Sequence, residues 1–329
     1  MAKILAEIDV MTKKSHFLNN DTNEITMFDE RYYKAYDKEK GLDVWLPSAT
    51  TILDVAPKGK GFEMWLKDVG VNASLILERA GLKGDLTHDL AENLLITGEL
   101  SWLDENDKPK CDVEVWNMAL KVQEFCNRFV DEVIAVEVKI APIHLGFGGR
   151  IDLIVKIGKE NWLIDLKTGN GIYETHHMQL AAYVKGWNSL TQKKNLKIDR
   201  MGILWLNAAT RTEGKGKTIQ GKGWQIIEPI VTKYESDSKG DYKEVKLSAL
   251  DSMESLYEDF EHIRHTYLKY NPIPKPQILI YPTKAKLDRF KPLKTRFEMV
   301  EGELVEIPIE NIEAKINEMA EKIASEKEV

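Results

Sequence analysis

The sequence predicts an α/β fold, and three observations carry that prediction. Residues 133–140, 149–157 and 162–167 alternate with period two and are separated by turn residues, so they read as three successive strands. The period then switches to that of a helix over residues 174–189. An apolar run at residues 201–206 follows, and a strand reached through a helix can lie parallel in the same sheet.

Length and composition set the bounds. The 329 residues allow one large domain or two ordinary ones. With 43% hydrophobic and 30% charged residues, the chain fits a soluble globular protein with a sizeable core. The net charge of −7 excludes a broadly basic surface, so a polyanion would need a local basic groove. Residues 301–328 are rich in Glu, with nine against three Lys, so most of the net negative charge is gathered there. No apolar run approaches the length of a membrane span, and no signal-peptide core follows Met1. We therefore expect no membrane partner and a cytoplasmic location. Cys111 and Cys126 lack the spacing of metal ligands and read as thiols of a reducing compartment, so neither zinc nor an iron–sulfur cluster is expected.

Residues 1–46 read as short strands and turns. Pro47-Ser48 opens a helix through Thr50, Thr51, Ile52 and Leu53, and residues 58–61 break it. Residues 62–69 read as a helix carrying Trp65 and Leu66 inward, and residues 71–79 as helix until Gly81. Asp85, after Gly84, is expected to N-cap a fresh helix. Leu86, Leu90, Leu94 and Leu95 form its apolar stripe, and His88 and Glu92 share the other side. Residues 116–130 make a further amphipathic helix, and residues 158–161 a tight hairpin loop. Residues 211–222 suggest a Gly- and Lys-rich hairpin or flap. Gly214, Gly216, Gly221 and Gly223 lack the strand–loop–helix setting of a phosphate-binding loop. A long helix spans residues 247–270. Pro272, Pro274 and Pro276 then mark a boundary between a domain at 1–270 and an extension at 271–329. In that extension Ile309, Ile312, Ile316, Met319 and Ile323 repeat with heptad spacing in an acidic amphipathic helix, free to dock within the chain or in a coiled-coil contact.

Asp165 and Lys167 carry the chemistry. Two apart on one strand, they point to the same face, while Trp162, Ile164 and Leu166 pack behind. Asp152 lies on the preceding strand. Two hard carboxylates can bind Mg²⁺ or Mn²⁺, and an ammonium beside them can hold a charged water. That equipment suits cutting a phosphodiester. The plain alternative is a solvated hairpin on which Lys167 forms a salt bridge to Asp165.

Gly149-Arg150-Ile151-Asp152, Asp165-Leu166-Lys167-Thr168-Gly169 and Gln179-Leu180-Ala181-Ala182-Tyr183, in this order, resemble the PD-(D/E)XK nuclease superfamily, and its RecB-like and phage-type exonuclease branch above all. The stretch from Pro47 to Leu53, followed by Trp65, is similar to phage-encoded members. The likeness covers residues 45–210, about the expected nuclease core. It departs from the family in having Arg150-Ile151 before the first acid, and from the iron–sulfur subgroup in lacking four cysteines. The resemblance implies a restriction-endonuclease-like α/β/α core with a mixed central sheet, extra N-terminal helices and a C-terminal helical extension. It implies one or two Mg²⁺ or Mn²⁺ ions held by Asp152, Asp165, the Leu166 carbonyl and His88, with Glu137 as a further acid. Lys167 would activate water, and Gln179 and Tyr183, one turn apart on the next helix, would border the site. Products with a 5′-phosphate and a 3′-hydroxyl are expected.

The expected partner is DNA, as linear duplex or single strand, in a bacterial or phage-infected host cell. Arg150 is a candidate phosphate contact, and Lys193, Lys194, Lys197, Arg211, Lys215, Lys217 and Lys222 are candidates for a groove. The C-terminal helix could serve a second copy of the chain or a recombination partner. His176 and His177 read as surface residues. An endonuclease on the same fold, and a non-catalytic DNA-binding or assembly protein, remain open alternatives.

Overall fold

Five strands build the central sheet of the computed structural model, in the order β4-β5-β6-β7-β8: β4 (Glu132–Ile140), β5 (Gly149–Ile157), β6 (Glu160–Lys167), β7 (Arg200–Arg211) and β8 (Thr218–Ile227). All neighbours are antiparallel except β6 and β7, which run parallel from Trp162 opposite Arg200 to Lys167 opposite Trp205. The crossover between them is α5 (Glu174–Leu190), as expected of two parallel strands joined through a helix. The structure describes residues 24–27, 30–211, 218–236, 242–276, 295–300 and 303–308.

Helices cover both faces. Leu153, Val155, Ile164, Leu166, Leu204 and Leu206 pack against α3 (Ala73–Thr97) and α4 (Val113–Phe129) through Ala91, Met118, Val122 and Phe125. The other face, with Leu163, Met201 and Ile203, packs on α1 (Ala49–Leu53), α5 and α6 (Ala249–Tyr270). Because β6 is covered on both sides, Ile164 and Leu166 enter one core and Leu163 the other. This is the expected α/β/α core with a mixed sheet.

Ahead of the core lies an antiparallel meander, β1 (Glu24–Met27), β2 (Glu30–Asp37) and β3 (Leu42–Pro47). The Pro47-Ser48-Ala49-Thr50-Thr51 turn fastens it to the sheet. Ser48 Oγ N-caps α1 by accepting the Thr51 N–H at 2.9 Å. Gly148 N–H donates to the Pro47 carbonyl, and Ala49 N–H to the Gly148 carbonyl, both at 2.9 Å. A second hairpin, β9 (Thr232–Ser236) with β10 (Tyr242–Lys246), precedes α6. The chain divides into two compact units, Met1–Pro276 and Gln277–Val329. In the second, the described residues form a hairpin of β11 (Thr295–Val300) and β12 (Glu303–Pro308). The heptad seam from Ile309 to Ile323 lies outside the described residues.

Several local expectations change. Helix α3 is continuous from Ala73 to Thr97, so Asp85 is not an N-cap. Two interior glycines cost a helix only about 1 kcal/mol each. Gly84 also permits a close approach, since a Cβ there would stand 3.3 Å from Thr168 Oγ1. In α2 (Lys60–Val69) no residue is buried; Trp65 is half-exposed and Leu66 exposed, because no element covers this helix closely. The loop at 158–161 is shorter than expected, because Glu160 and Asn161 already pair with Ile157 and Lys156. No described helix is long and apolar enough to cross a membrane.

Candidate active site

The site forms where β5 and β6 part. Their paired register ends at Leu153 opposite Ile164, and Asp152 and Asp165 come one step beyond. The Asp152 carboxylate takes over from the ladder there, its Oδ2 accepting the Leu166 N–H at 2.7 Å. From α3, His88 Nδ1 lies 3.5 Å from both Asp152 Oδ1 and Glu137 Oε1. One ligand atom from each of His88, Glu137 and Asp152 falls within 4.8 Å of the others. Glu137 reaches this trio from a strained backbone, φ +48°, in the middle of β4. A non-glycine residue there is uncommon and is held only by its surroundings.

Asp165 stands apart from the trio. Its Oδ2 is buried and accepts no hydrogen bond. The Lys167 ammonium faces it at 2.6 Å as a charge contact, without hydrogen-bond alignment. Lys167 Nζ also donates to Gln179 Oε1 at 3.3 Å, and Gln179 Nε2 donates to the Tyr183 hydroxyl at 3.2 Å. The spacing of Gln179 and Tyr183, one helical turn apart, thus becomes a relay of contacts ending on Lys167.

The electrostatics divide the two acids. Burial raises the Asp165 carboxyl to about 6, with Asp152 adding to the rise and Lys167 opposing it. Burial acts on Asp152 as well, but His88, Lys167 and the Leu166 N–H outweigh it and hold that group below the usual carboxylate range. For His88 burial is outweighed by Asp152 and Glu137, which push it up to about 10. The two carboxylates therefore favour the protonated imidazole.

An imidazole converging with two carboxylates, His88 with Glu137 and Asp152, fits a divalent cation. Oxygen donors with one imidazole suit a hard or borderline ion such as Mg²⁺ or Mn²⁺. Cys111 and Cys126 are free and half-buried, and neither belongs to this cluster.

Two glycines make the packing possible. A Cβ on Gly149 would stand 2.2 Å from Tyr183 Cε1, and one on Gly148 would stand 2.6 Å from Tyr33 Cβ. Gly149→Ala is expected to displace the Tyr183 ring, costing about 1–3 kcal/mol of stability and loosening Gln179 from Lys167. Thermal unfolding and the rate of any cleavage should fall together. An unchanged melting temperature would show that the ring moves aside freely.

The structure brings Asp152, Asp165, Lys167, His88, Glu137, Gln179 and Tyr183 to one end of the sheet. The Leu166 side chain is buried, and its backbone N–H is engaged by Asp152. Lys193, Lys194 and Lys197 do not line this site. They follow α5 at the start of β7, beside Trp162, while the site lies at the far end of β6 near Lys167. Lys215, Lys217 and the side chains of Arg211 and Lys222 lie outside the described residues. His176 is half-buried instead of a surface residue; its Nδ1 accepts the Tyr173 N–H at 3.3 Å. Burial, then Lys167 and His177, push it down to about 3.

Sequence reasoning missed Glu24, Arg31 and Tyr33, which the meander brings beside Arg150 and Tyr183. No local pattern marks them, because only the pairing of β1 with β2 and the Ser48 turn place them there.

The family description "PD-(D/E)XK nuclease superfamily" matches residues 73–324. No curated protein matches the chain.

Proposed function

We propose, on the premise that this chain belongs to the PD-(D/E)XK nuclease superfamily, that it is a divalent-metal-dependent deoxyribonuclease, an exonuclease of phage-type DNA recombination, replication or repair. The superfamily supplies metal-dependent nuclease activity. The observation that carries the finer reading is the joining of Asp152, His88 and Glu137 with an Asp165–Lys167 pair at one end of the sheet. The exonuclease assignment is supported by the resemblance of the Gly149–Asp152, Asp165–Gly169 and Gln179–Tyr183 motifs to the RecB-like branch, which includes phage exonucleases, and the phage context by the likeness of the Pro47 to Leu53 stretch and Trp65 to phage-encoded members.

In this reading His88, Glu137, Asp152, Asp165 and the Leu166 carbonyl would hold Mg²⁺ or Mn²⁺. A bound cation of this kind lowers the pKa of water and polarises a phosphoryl oxygen. Lys167 orients the attacking water and stabilises the charge that grows on the non-bridging oxygens. Gln179 holds Lys167 in place, and Tyr183 holds Gln179. The sheet keeps the acids rigid, as a metal site requires. The expected products carry 5′-phosphate and 3′-hydroxyl ends.

The test is digestion of end-labelled linear duplex, single strand and closed circular DNA with Mg²⁺ or Mn²⁺. Loss of linear DNA with the circle spared is the expected outcome, and the label released first gives polarity. A cut circle would replace the exonuclease by an endonuclease. No cleavage of any substrate with either metal would sink the reading.

A further inference from the structure

The geometry points to a phosphate clamp formed by Arg31 and Arg150, which holds a non-scissile phosphate of the DNA strand beside the metal site; it rests on the nuclease reading. Arg31 comes from β2, outside the residues matched by the family, so the match does not assign it.

The first observation is charge. Arg150 Nε contacts Glu137 Oε2 at 2.9 Å, Arg31 Nε contacts Glu24 Oε1 at 3.3 Å, and Lys139 Nζ contacts Glu24 Oε2 at 3.0 Å. Three cations thus share two carboxylates. Lys139 and Arg150 are paired across β4 and β5, and Glu24 joins Lys139 to Arg31, so the three cations lie in one patch. In a chain of net charge −7, such a concentration of positive charge is local and unbalanced.

The second observation is orientation. The side chains of Arg31, Arg150 and Lys139 remain 36%, 37% and 38% exposed, while Glu24 and Glu137 retain only 9% and 10%. The acids lie beneath and the cations face outward, the arrangement that receives an anion from solvent. Guanidinium donors match the paired oxygens of a phosphate.

The third observation is preorganisation. Arg31 is held by its backbone on both sides: its N–H donates to Thr51 Oγ1 at 2.9 Å, and its carbonyl accepts the Ser48 N–H at 2.7 Å. The helix cap that fastens the meander to the sheet therefore also sets the backbone of Arg31, whose side chain meets Glu24 beside Lys139. Glu137 serves both the clamp and the ligand trio. Cation binding at His88, Glu137 and Asp152 would draw on the carboxylate that Arg150 uses, leaving Arg150 freer for phosphate.

The test measures DNA binding apart from cleavage. Affinity of the full chain for a fluorescein-labelled oligonucleotide, as single strand and as duplex, is measured against salt concentration with Ca²⁺ present and with EDTA, the strand being checked for intactness. Arg31→Gln and Arg150→Gln should each weaken binding about tenfold and flatten the salt dependence by about one ion. Arg31→Lys should keep most of the salt dependence. Arg128→Gln, on an exposed arginine stacked against Trp224, should change neither. A folded Arg31→Gln protein with wild-type affinity and salt slope would overturn the clamp. Should Arg31→Gln not fold, Arg150→Gln with an unchanged slope would overturn it equally. DNA that is bound through both arginines yet never cut would remove the nuclease reading and leave the clamp standing.

Discussion

Lys167→Met is expected to lower the cleavage rate by about 10²- to 10⁴-fold while the protein stays folded. The methionine retains most of the stem that packs near Gln179 and removes only the charge. Two consequences can be separated. The ammonium no longer steadies the water and the developing phosphoryl charge, which is a loss in the transition state. Asp165 also loses the cation that holds its carboxyl down, so its pKa should climb above the present value of about 6. A protonated Asp165 binds metal less well near neutrality. Raising the pH should therefore restore Mn²⁺ binding in the variant, measured by calorimetry, without restoring cleavage under single-turnover conditions. If alkaline buffer restored both, Lys167 would act only by keeping Asp165 ionised. If the rate barely fell, Lys167 would be no more than a salt-bridge partner.

Asp165→Asn should have two effects of opposite sign. Cleavage should be lost, and the melting temperature in EDTA at pH 7 should rise by at least about 2 °C. The native fold holds the Asp165 carboxyl at about 6 because burial penalises its charge, whereas in the unfolded chain it ionises nearer 4. Between those values the native state binds more protons, so Asp165 makes stability fall as pH rises from about 4 to 6, and the deficit persists at pH 7. Asparagine has nearly the same shape and no charge to desolvate. Asp152 has the opposite sign: its depressed pKa gives stability that is present at neutral pH and lost in acid. Asp152→Asn should therefore lower the melting temperature where Asp165→Asn raises it. Added Mn²⁺ should raise the melting temperature of the wild-type protein more than that of either variant. A lower melting temperature for Asp165→Asn in EDTA would show that its ion pair with Lys167 outweighs the cost of burial. In the expected case the site stores instability that a bound cation relieves, as functional sites often do.

By itself the sequence determined the repeating parts of this protein. Period-two alternation marked β4, β5 and β6, and the same alternation put Asp165 and Lys167 on one face with Ile164 and Leu166 on the other. Helical spacing set Gln179 and Tyr183 one turn apart, and a helix after β6 made a parallel β7 available. These features are local, because side-chain direction follows from the backbone period alone. Residues 211–222 read in sequence only as a Gly- and Lys-rich hairpin or flap; that Thr218–Ile227 joins the central sheet comes from its pairing with β7, which supplies what propensity lacks at Gly221 and Gly223.

Only the tertiary structure decided which faces meet. Glu137 reaches His88 from a left-handed backbone that no propensity favours. Gly148 and Gly149 let two tyrosine rings lie against the chain where β5 begins, and the requirement becomes visible only when Tyr33 and Tyr183 arrive from elsewhere in the chain. Helix α3 runs through Gly81 and Gly84, and apart from Ala73 its buried residues, Thr87, Leu90 and Ala91, all follow the two glycines, so tertiary packing beyond them offsets their cost. Arg31 and Lys139 meet on Glu24 across more than a hundred residues of chain. Periodicity says where a side chain points along its own element; what it points at depends on packing between elements distant in sequence, whose contacts leave no period to read.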